Sequence, residues 1–271
     1  MHDFSRMIEM PFVDQPASAS DFPRGVTTEN FVRVLGYRVH DVTLDETVHL
    51  LTRMVLSGRP HHIMTINPEF IMIARVDDKF HAILSCASLV IPDGVGILWA
   101  SRVFGKKIRQ RVTGIDTVNQ FAQIARDRGF RLFLLGAGPD VAKRTAEILQ
   151  EQHPGLCIAG TYEGSPGVDE EEEICRRIEA ARPHVLLVAF GAPEQDLWIA
   201  RTASRLGIPV AMGVGGTFDF IAGIAKRAPF WVRQFGLEWL YRLIQEPRRW
   251  RRMLRLPKFA LAVLKERLLG K

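Results

Sequence analysis

The sequence predicts an α/β fold: a mostly parallel sheet with helices on both faces, followed by a basic C-terminal helical appendage. Three observations carry this. Near-continuous apolar runs such as "HHIMTIN", "RLFLLG", "HVLLVAFG" and "IPVAMGVGG" alternate with helical stretches. Runs without polar alternation mark strands buried on both faces, as parallel sheets require. Apolar residues form 47% of the 271 positions, enough for a sizeable core. Beyond Gly223 the strand signals stop, and the chain turns aromatic, basic and helical. This is a Rossmann-like plan. It divides into a flexible polar lead-in over 1–28, an α/β domain over 29–226 and an appendage over 227–271.

The elements follow in order. "RVLGYRVHDV" reads as a strand or the start of a hairpin. Thr43-Leu44-Asp45-Glu46 is a capping box that opens a helix. "HHIMTIN" is a strand ending at Asn67, and Pro68 suits the first turn of the helix "PEFIMIARV". "SLVIP" is a strand halted at Pro92-Asp93-Gly94, with a helical pattern after it. Thr113 caps a helix running to Arg128. "RLFLLG", "PDVAKRTAEILQEQ", "LCIAG" and "DEEEEICRRIEAAR" alternate strand and helix, the last with acids in its first turn. "HVLLVAFG", "PEQDLWIARTASRL" and "IPVAMGVGG" complete the domain. The tail is read as helix broken at Pro247 and Pro257.

Composition excludes several classes. Cys86, Cys157 and Cys175 lie far apart with no C-x-x-C, against a zinc site or a disulfide framework. The N-terminus lacks the apolar core of a signal peptide. No stretch reaches the ~18 apolar residues of a membrane span, so a cytoplasmic protein is expected. Between residues 227 and 271, twelve Lys/Arg face three acids, an excess larger than the whole-chain +6. Such asymmetry points to an anionic partner for the tail. It carries no nucleic-acid motif, so no nucleic-acid partner is expected.

In an open α/β sheet, ligands bind outside the carboxyl ends of the strands. Thr65 and Asn67, two apart, share one face of a strand end. Asp93 stands at the next end. Gly136 and Gly138, and Gly213, Gly215 and Gly216, form turns before helices, read as lying at neighbouring strand ends. Such turns let backbone N–H groups approach a phosphate. Gly191 and Gln195 belong to the strand end after Ala189, and Asp219 follows the Gly213–Gly216 turn at the last one. The third glycine of a dinucleotide fingerprint is missing, since position 141 is Val. A lone carboxylate such as Asp93 can take a proton from an attacking hydroxyl. No D-x-D occurs among the strand ends, so no metal is expected. Arginines, which bind phosphate bidentately, are the substitute.

These segments resemble the WecG/TagA/CpsF family of bacterial glycosyltransferases. The resemblance rests on "TINPEF", "LVIPDGVGILWASRVFGKKIRQRVTGID", "LFLLGAGPDVA", "VAFGAPEQDLWI" and "GVGGTFDFIAGIAKRAPFWVRQFGLEWLYRLIQEPRRWRR", over residues 34 to 255. It implies a transferase moving a sugar from a UDP-sugar to an undecaprenyl-diphosphate-linked saccharide, with inversion and without a metal or other cofactor. It further implies a peripheral place on the inner face of the plasma membrane. Asp93 would be the base, beside Thr65, Asn67, Gln195 and Arg111. The appendage would close over the site with Arg242, Arg249 and Arg252. One departure is Pro193-Glu194-Gln195-Asp196, where the family has Lys or Arg at the second position. A glutamate facing the pocket would disfavour a uronic acid donor.

The tail "WRRMLRLPKFALAVLKERLLGK" mixes basic and apolar residues as interfacial helices do. Two other readings stay open: an NAD-dependent oxidoreductase, and a non-catalytic sugar-nucleotide binding protein. The donor sugar, the acceptor saccharide and the oligomeric state, a homo-oligomer included, are left open.

Overall fold

The computed structural model describes residues 30–247 and 250–269. It begins with β1 (Phe31–Val34) and β2 (Tyr37–His40), an antiparallel hairpin. Next come α1 (Leu44–Ser57), β3 (His61–Ile66), α2 (Pro68–Ala74), α3 (Asp78–Cys86), β4 (Leu89–Pro92) and α4 (Val95–Val103). Then follow α5 (Gly114–Arg128), β5 (Arg131–Gly136), α6 (Val141–Gln152), β6 (Cys157–Tyr162), α7 (Val168–Ala181), β7 (Val185–Ala189), α8 (Glu194–Leu206), β8 (Val210–Gly213) and α9 (Thr217–Ile221). The tail holds α10 (Phe230–Gln234), α11 (Glu238–Gln245), α12 (Trp250–Met253) and α13 (Arg255–Leu268). The lead-in over 1–28 lies outside the described residues.

Local chemistry sets the element ends. Thr43 Oγ1 accepts from the Glu46 N–H while Glu46 accepts from the Thr43 N–H, closing the capping box of α1. Gly58 ends the same helix in the left-handed region, where a side chain would be strained. Thr113 caps α5 through the Asp116 N–H. Pro257 does not break the tail as expected. It sits in the first turn of α13, where its missing N–H has no intrahelical partner to lose. The last helices part at Leu254 instead, and Gly236 separates α10 from α11.

The six-stranded sheet is all parallel in the order β4-β3-β8-β7-β5-β6. Its registers include Ile63 opposite Leu89 and Met212, and Leu134 opposite Leu187. Strand side chains alternate between two cores. Ile63, Leu89, Leu134, Leu187 and Met212 face α1, α5, α6 and α9. Met64 and Val90 face α2, α3, α4 and α13, and Phe133, Leu186 and Ala211 face α7 and α8. The hairpin shields the β4 edge, where the Val90 N–H donates to Nδ1 of buried His40. Burial, and then Arg38, push that imidazole down to about 4, keeping it a neutral acceptor.

The topology places the site. β8 sends its helix, α9, to one face, while its neighbours β3 and β7 send α2 and α8 to the other. The connections therefore part above the β8 tip and leave a crevice there. The same order corrects one expectation. The glycine turns after β5 and β8 do not end neighbouring strands, because β7 lies between them.

The appendage is not a separate layer. Phe259 and Val263 of α13 are buried in the core shared with α2 and α4. Among the described residues, no helix is long and apolar enough to cross a membrane.

Candidate active site

The crevice is a cleft of about 650 Å³. The carboxyl ends of β3, β4, β7 and β8 form its floor, and α11, α12 and α13 supply one wall. Thr65, Asn67, Asp93, Arg111, Gly191 and Gln195 line it, as do Gly215, Gly216, Asp219, Arg242 and Arg252. Gly136 and Gly138 are not among the lining residues. Gly136 has φ +98, and a Cβ there would stand 2.9 Å from the Ala189 carbonyl carbon, so its glycine serves the packing of β5 on β7. Arg249 lies outside the described residues.

Asp93 is built onto a rigid corner. Its N–H donates to the Ile66 carbonyl at 2.8 Å, and the Val112 N–H donates to Pro92 at 2.9 Å. The corner lies flat on Asn67-Pro68: a Cβ on Gly96 would come 2.5 Å from Pro68 Cγ. Gly94, at φ +113, provides the reversal. Asn67 in turn caps α2, its Oδ1 accepting from the Glu69 and Phe70 N–H groups. What Asn67 offers a ligand is therefore its amide NH₂. Thr65 is buried, with its hydroxyl 3.5 Å from the Gly213 carbonyl.

No described residue donates a hydrogen bond to the Asp93 carboxylate, which lines the open cleft half-buried. Burial pushes its pKa from 3.8 up to about 6. Arg111 and Arg227 pull it down, while Glu238 and Asp116 push it up, so the nearby charges oppose one another and burial decides.

Glycines and a glutamine shape the β8 end. Gly215 is in the left-handed region, at φ +53, and Gly216 follows at φ −76 and ψ 17. With no Cβ at Gly215, a ligand can approach the backbone of this turn closely. The Gly215 N–H itself donates to Gln195 Oε1 at 2.9 Å. Gln195, only 1% exposed, thus props the turn as well as lining the cleft.

The cleft arginines arrive with acids attached. Arg111 pairs with Glu238 of α11 at 2.9 Å. Arg252 grips Glu69 with two nitrogens, at 2.8 and 3.0 Å, and Arg255 reaches the same carboxylate at 2.7 Å. Arg242 reaches Glu246 at 3.4 Å and stacks over Phe220, 4.9 Å from the ring centre. Its Nη2 also rests on the glycine turn, 2.5 Å from where a Cβ of residue 216 would be. Beside the cleft, Arg227 pairs with Asp116 at 2.7 Å. Burial would raise Asp116, but hydrogen bonds from Arg227 and Thr113 outweigh it and hold the carboxyl below the ordinary range.

Glu69, Glu238 and Arg227 were not singled out from sequence. Glu69 left a signal, as a lone acid in the apolar helix "PEFIMIA", 8% exposed in the fold. Trp99 and Trp239 also line the cleft. Glu194 is exposed and is not among the lining residues, though its charge reaches Arg252. Among the described residues, no cluster of three or more His, Cys, Asp or Glu side chains is arranged to hold a metal ion.

A relative from Bacillus spizizenii (strain ATCC 23059 / NRRL B-14472 / W23) is 37% identical over 80% of this chain and 84% of its own. One from Staphylococcus aureus (strain MRSA252) is 31% identical over 86% and 92%. Both carry the name N-acetylglucosaminyldiphosphoundecaprenol N-acetyl-beta-D-mannosaminyltransferase. The model of the Glycosyl transferase WecG/TagA/CpsF family matches residues 32–271. The chain belongs to the WecG/TagA/CpsF family of glycosyltransferases.

Proposed function

We propose that the protein transfers an N-acetylmannosamine-type sugar from a UDP-linked donor to a saccharide carried on undecaprenyl diphosphate, with inversion at the anomeric carbon. The relatives' names supply the sugar and the lipid-linked acceptor. One observation carries the mechanism: Asp93 presents a carboxylate with no hydrogen-bond donor among the described residues, on a rigid corner, with its pKa raised to about 6. The acceptor hydroxyl oxygen attacks the anomeric carbon from the face opposite UDP. Its proton passes to Asp93, and the carbon–oxygen bond to the diphosphate breaks, the electron pair leaving with UDP. A single base suffices for inversion, whereas retention by double displacement needs a close carboxylate pair.

The departing diphosphate needs positive charge and N–H donors aimed where charge develops. The turn at Gly215-Gly216, with Arg242 resting on it, supports placing the diphosphate there and a metal-independent reaction. The tail supports approach to the inner face of the plasma membrane. Phe230, Trp231 and Phe235 are 67%, 61% and 75% exposed, beside the basic residues of α10–α13. Exposed aromatics with basic neighbours suit an anionic bilayer surface.

The test is Asp93→Asn with UDP-N-acetylmannosamine and a prenyl-diphosphate-linked N-acetylglucosamine, products read by mass spectrometry. Transfer should fall by at least about a hundredfold while UDP still binds. Wild-type turnover by the variant would remove Asp93 as the base.

A further inference from the structure

We infer that His62 and Asp196, which lie behind the cleft, are positioning residues for the glycine turn that receives the diphosphate. The inference rests on the reading of that turn given above. A buried hydrogen-bonded chain carries it. The Gly215 N–H can only donate, so the Gln195 atom it meets at 2.9 Å is Oε1. The carboxamide then turns Nε2 inward, 3.3 Å from Asp196 Oδ2. The other oxygen of Asp196, Oδ1, lies 3.1 Å from His62 Nε2. A carboxylate only accepts, so that ring nitrogen carries the hydrogen. Asp196 is fully buried and His62 is 2% exposed, at the start of β3.

Each link fixes the next. Reversing the Gln195 carboxamide would set NH₂ against the Gly215 N–H and oxygen against a carboxylate. Asp196 prevents this, and His62 holds Asp196 with its two oxygens divided between the two donors. The turn sits directly on these groups: a Cβ on Gly213 would stand 2.5 Å from Gln195 Nε2 and 2.7 Å from Asp196 Oδ1. Three buried polar side chains would be disfavoured in a core unless paired. Here the pairing leads from the sheet interior to one peptide group at the cleft.

The experiment measures UDP binding by calorimetry, and kcat and KM for the UDP-sugar, in wild type, Asp196→Asn, His62→Leu and His62→Gln. Asn at 196 must present NH₂ to one of its two donors. Leu at 62 keeps volume without a hydrogen, and Gln restores a donor. Expected are a loss of UDP affinity of about tenfold or more in Asp196→Asn and His62→Leu, a matching rise in KM with kcat changed less than about threefold, and recovery of most affinity in His62→Gln. Wild-type UDP affinity and KM in both disruptive variants would overturn the inference and leave the proposed function standing. Lower melting temperature and kcat with unchanged KM would also overturn it, reducing the pair to a structural role. Failure of the wild type to bind UDP would sink the proposed function, and this inference with it. Should Asp196→Asn not fold, the His62 pair decides by the same criteria.

Discussion

Replacing Asp93 by Asn should make the protein more stable at neutral pH while removing its chemistry. Asp93 has a folded pKa of about 6 against 3.8 ordinarily, because burial disfavours the charged form. The folded state therefore holds the proton more tightly than the unfolded chain. Stability from this group is greatest below about pH 4, declines as pH rises through 6, and is flat beyond. A shift of about two units at ~1.4 kcal/mol per unit sets a ceiling near 3 kcal/mol. The carboxylate faces an open cleft, so about 1–3 kcal/mol is expected. Asn carries no titrating proton and escapes this loss. At roughly 2–4 °C per kcal/mol for a chain of this size, the variant should melt several degrees above wild type at pH 8. The gap should shrink as pH falls below 6 and level off near 4. Differential scanning fluorimetry across pH 4 to 8 reads it directly. In parallel, wild-type kcat/KM should rise with pH through about 6, reaching about 90% of its plateau at pH 7. A stability gap independent of pH, or a variant less stable at pH 8 than at pH 4 relative to wild type, would refute the burial of a working carboxylate.

Three further outcomes are expected. Phe259→Ala, which empties a buried site between α13, α2 and α4, should cost about 3 kcal/mol or more in urea unfolding. Glu69→Gln removes the shared counter-ion of Arg252 and Arg255. It should cost about 1–3 kcal/mol, the half-exposed arginines moderating the loss, and speed hydrogen exchange across 255–268. Trp231→Ser with Phe235→Ser should weaken sedimentation with phosphatidylglycerol vesicles while UDP affinity, read by calorimetry, stays put.

Much of the fold was legible because its signals are local. The Thr43 capping box, the Thr113 cap and the apolar runs of β3, β5, β7 and β8 each announce themselves within a few residues. Asp93, Thr65 and Asn67 were legible for the same reason, as polar groups where apolar runs stop. Strand order was not, since it is decided by which face each crossover takes. Hence the turns at Gly136 and Gly213 read as neighbours although β7 separates them. The orientation of Gln195 also escaped notice, because its partners, Gly215 and Asp196, are set by tertiary packing. Glu69 and Arg252 are 183 positions apart, and no local pattern pairs them. Pro257 misled because a proline reads as a breaker until the helix start beside it is known.

The cleft is less positive than its arginine count suggests, and under the proposed function this bears on how it would take a diphosphate. Arg111, Arg242 and Arg252 line it, and each has a carboxylate partner. Arg242 and Glu246 both belong to the tail, but the other pairs cross the boundary between domain and tail in both directions. Arg111 of the domain holds Glu238 of the tail, and Glu69 of the domain holds Arg252 and Arg255 of the tail. Such pairs orient a guanidinium before a ligand arrives, at the expense of its bare charge. A diphosphate must then either add to an already satisfied arginine through remaining N–H donors or displace a glutamate. Displacing Glu238 or Glu69 would loosen the contacts that dock α11–α13 over the cleft. Under the proposed function, ligand occupancy and tail docking would thereby be linked through the same side chains. The acids would then set how much of a diphosphate's binding energy goes into holding the tail in place.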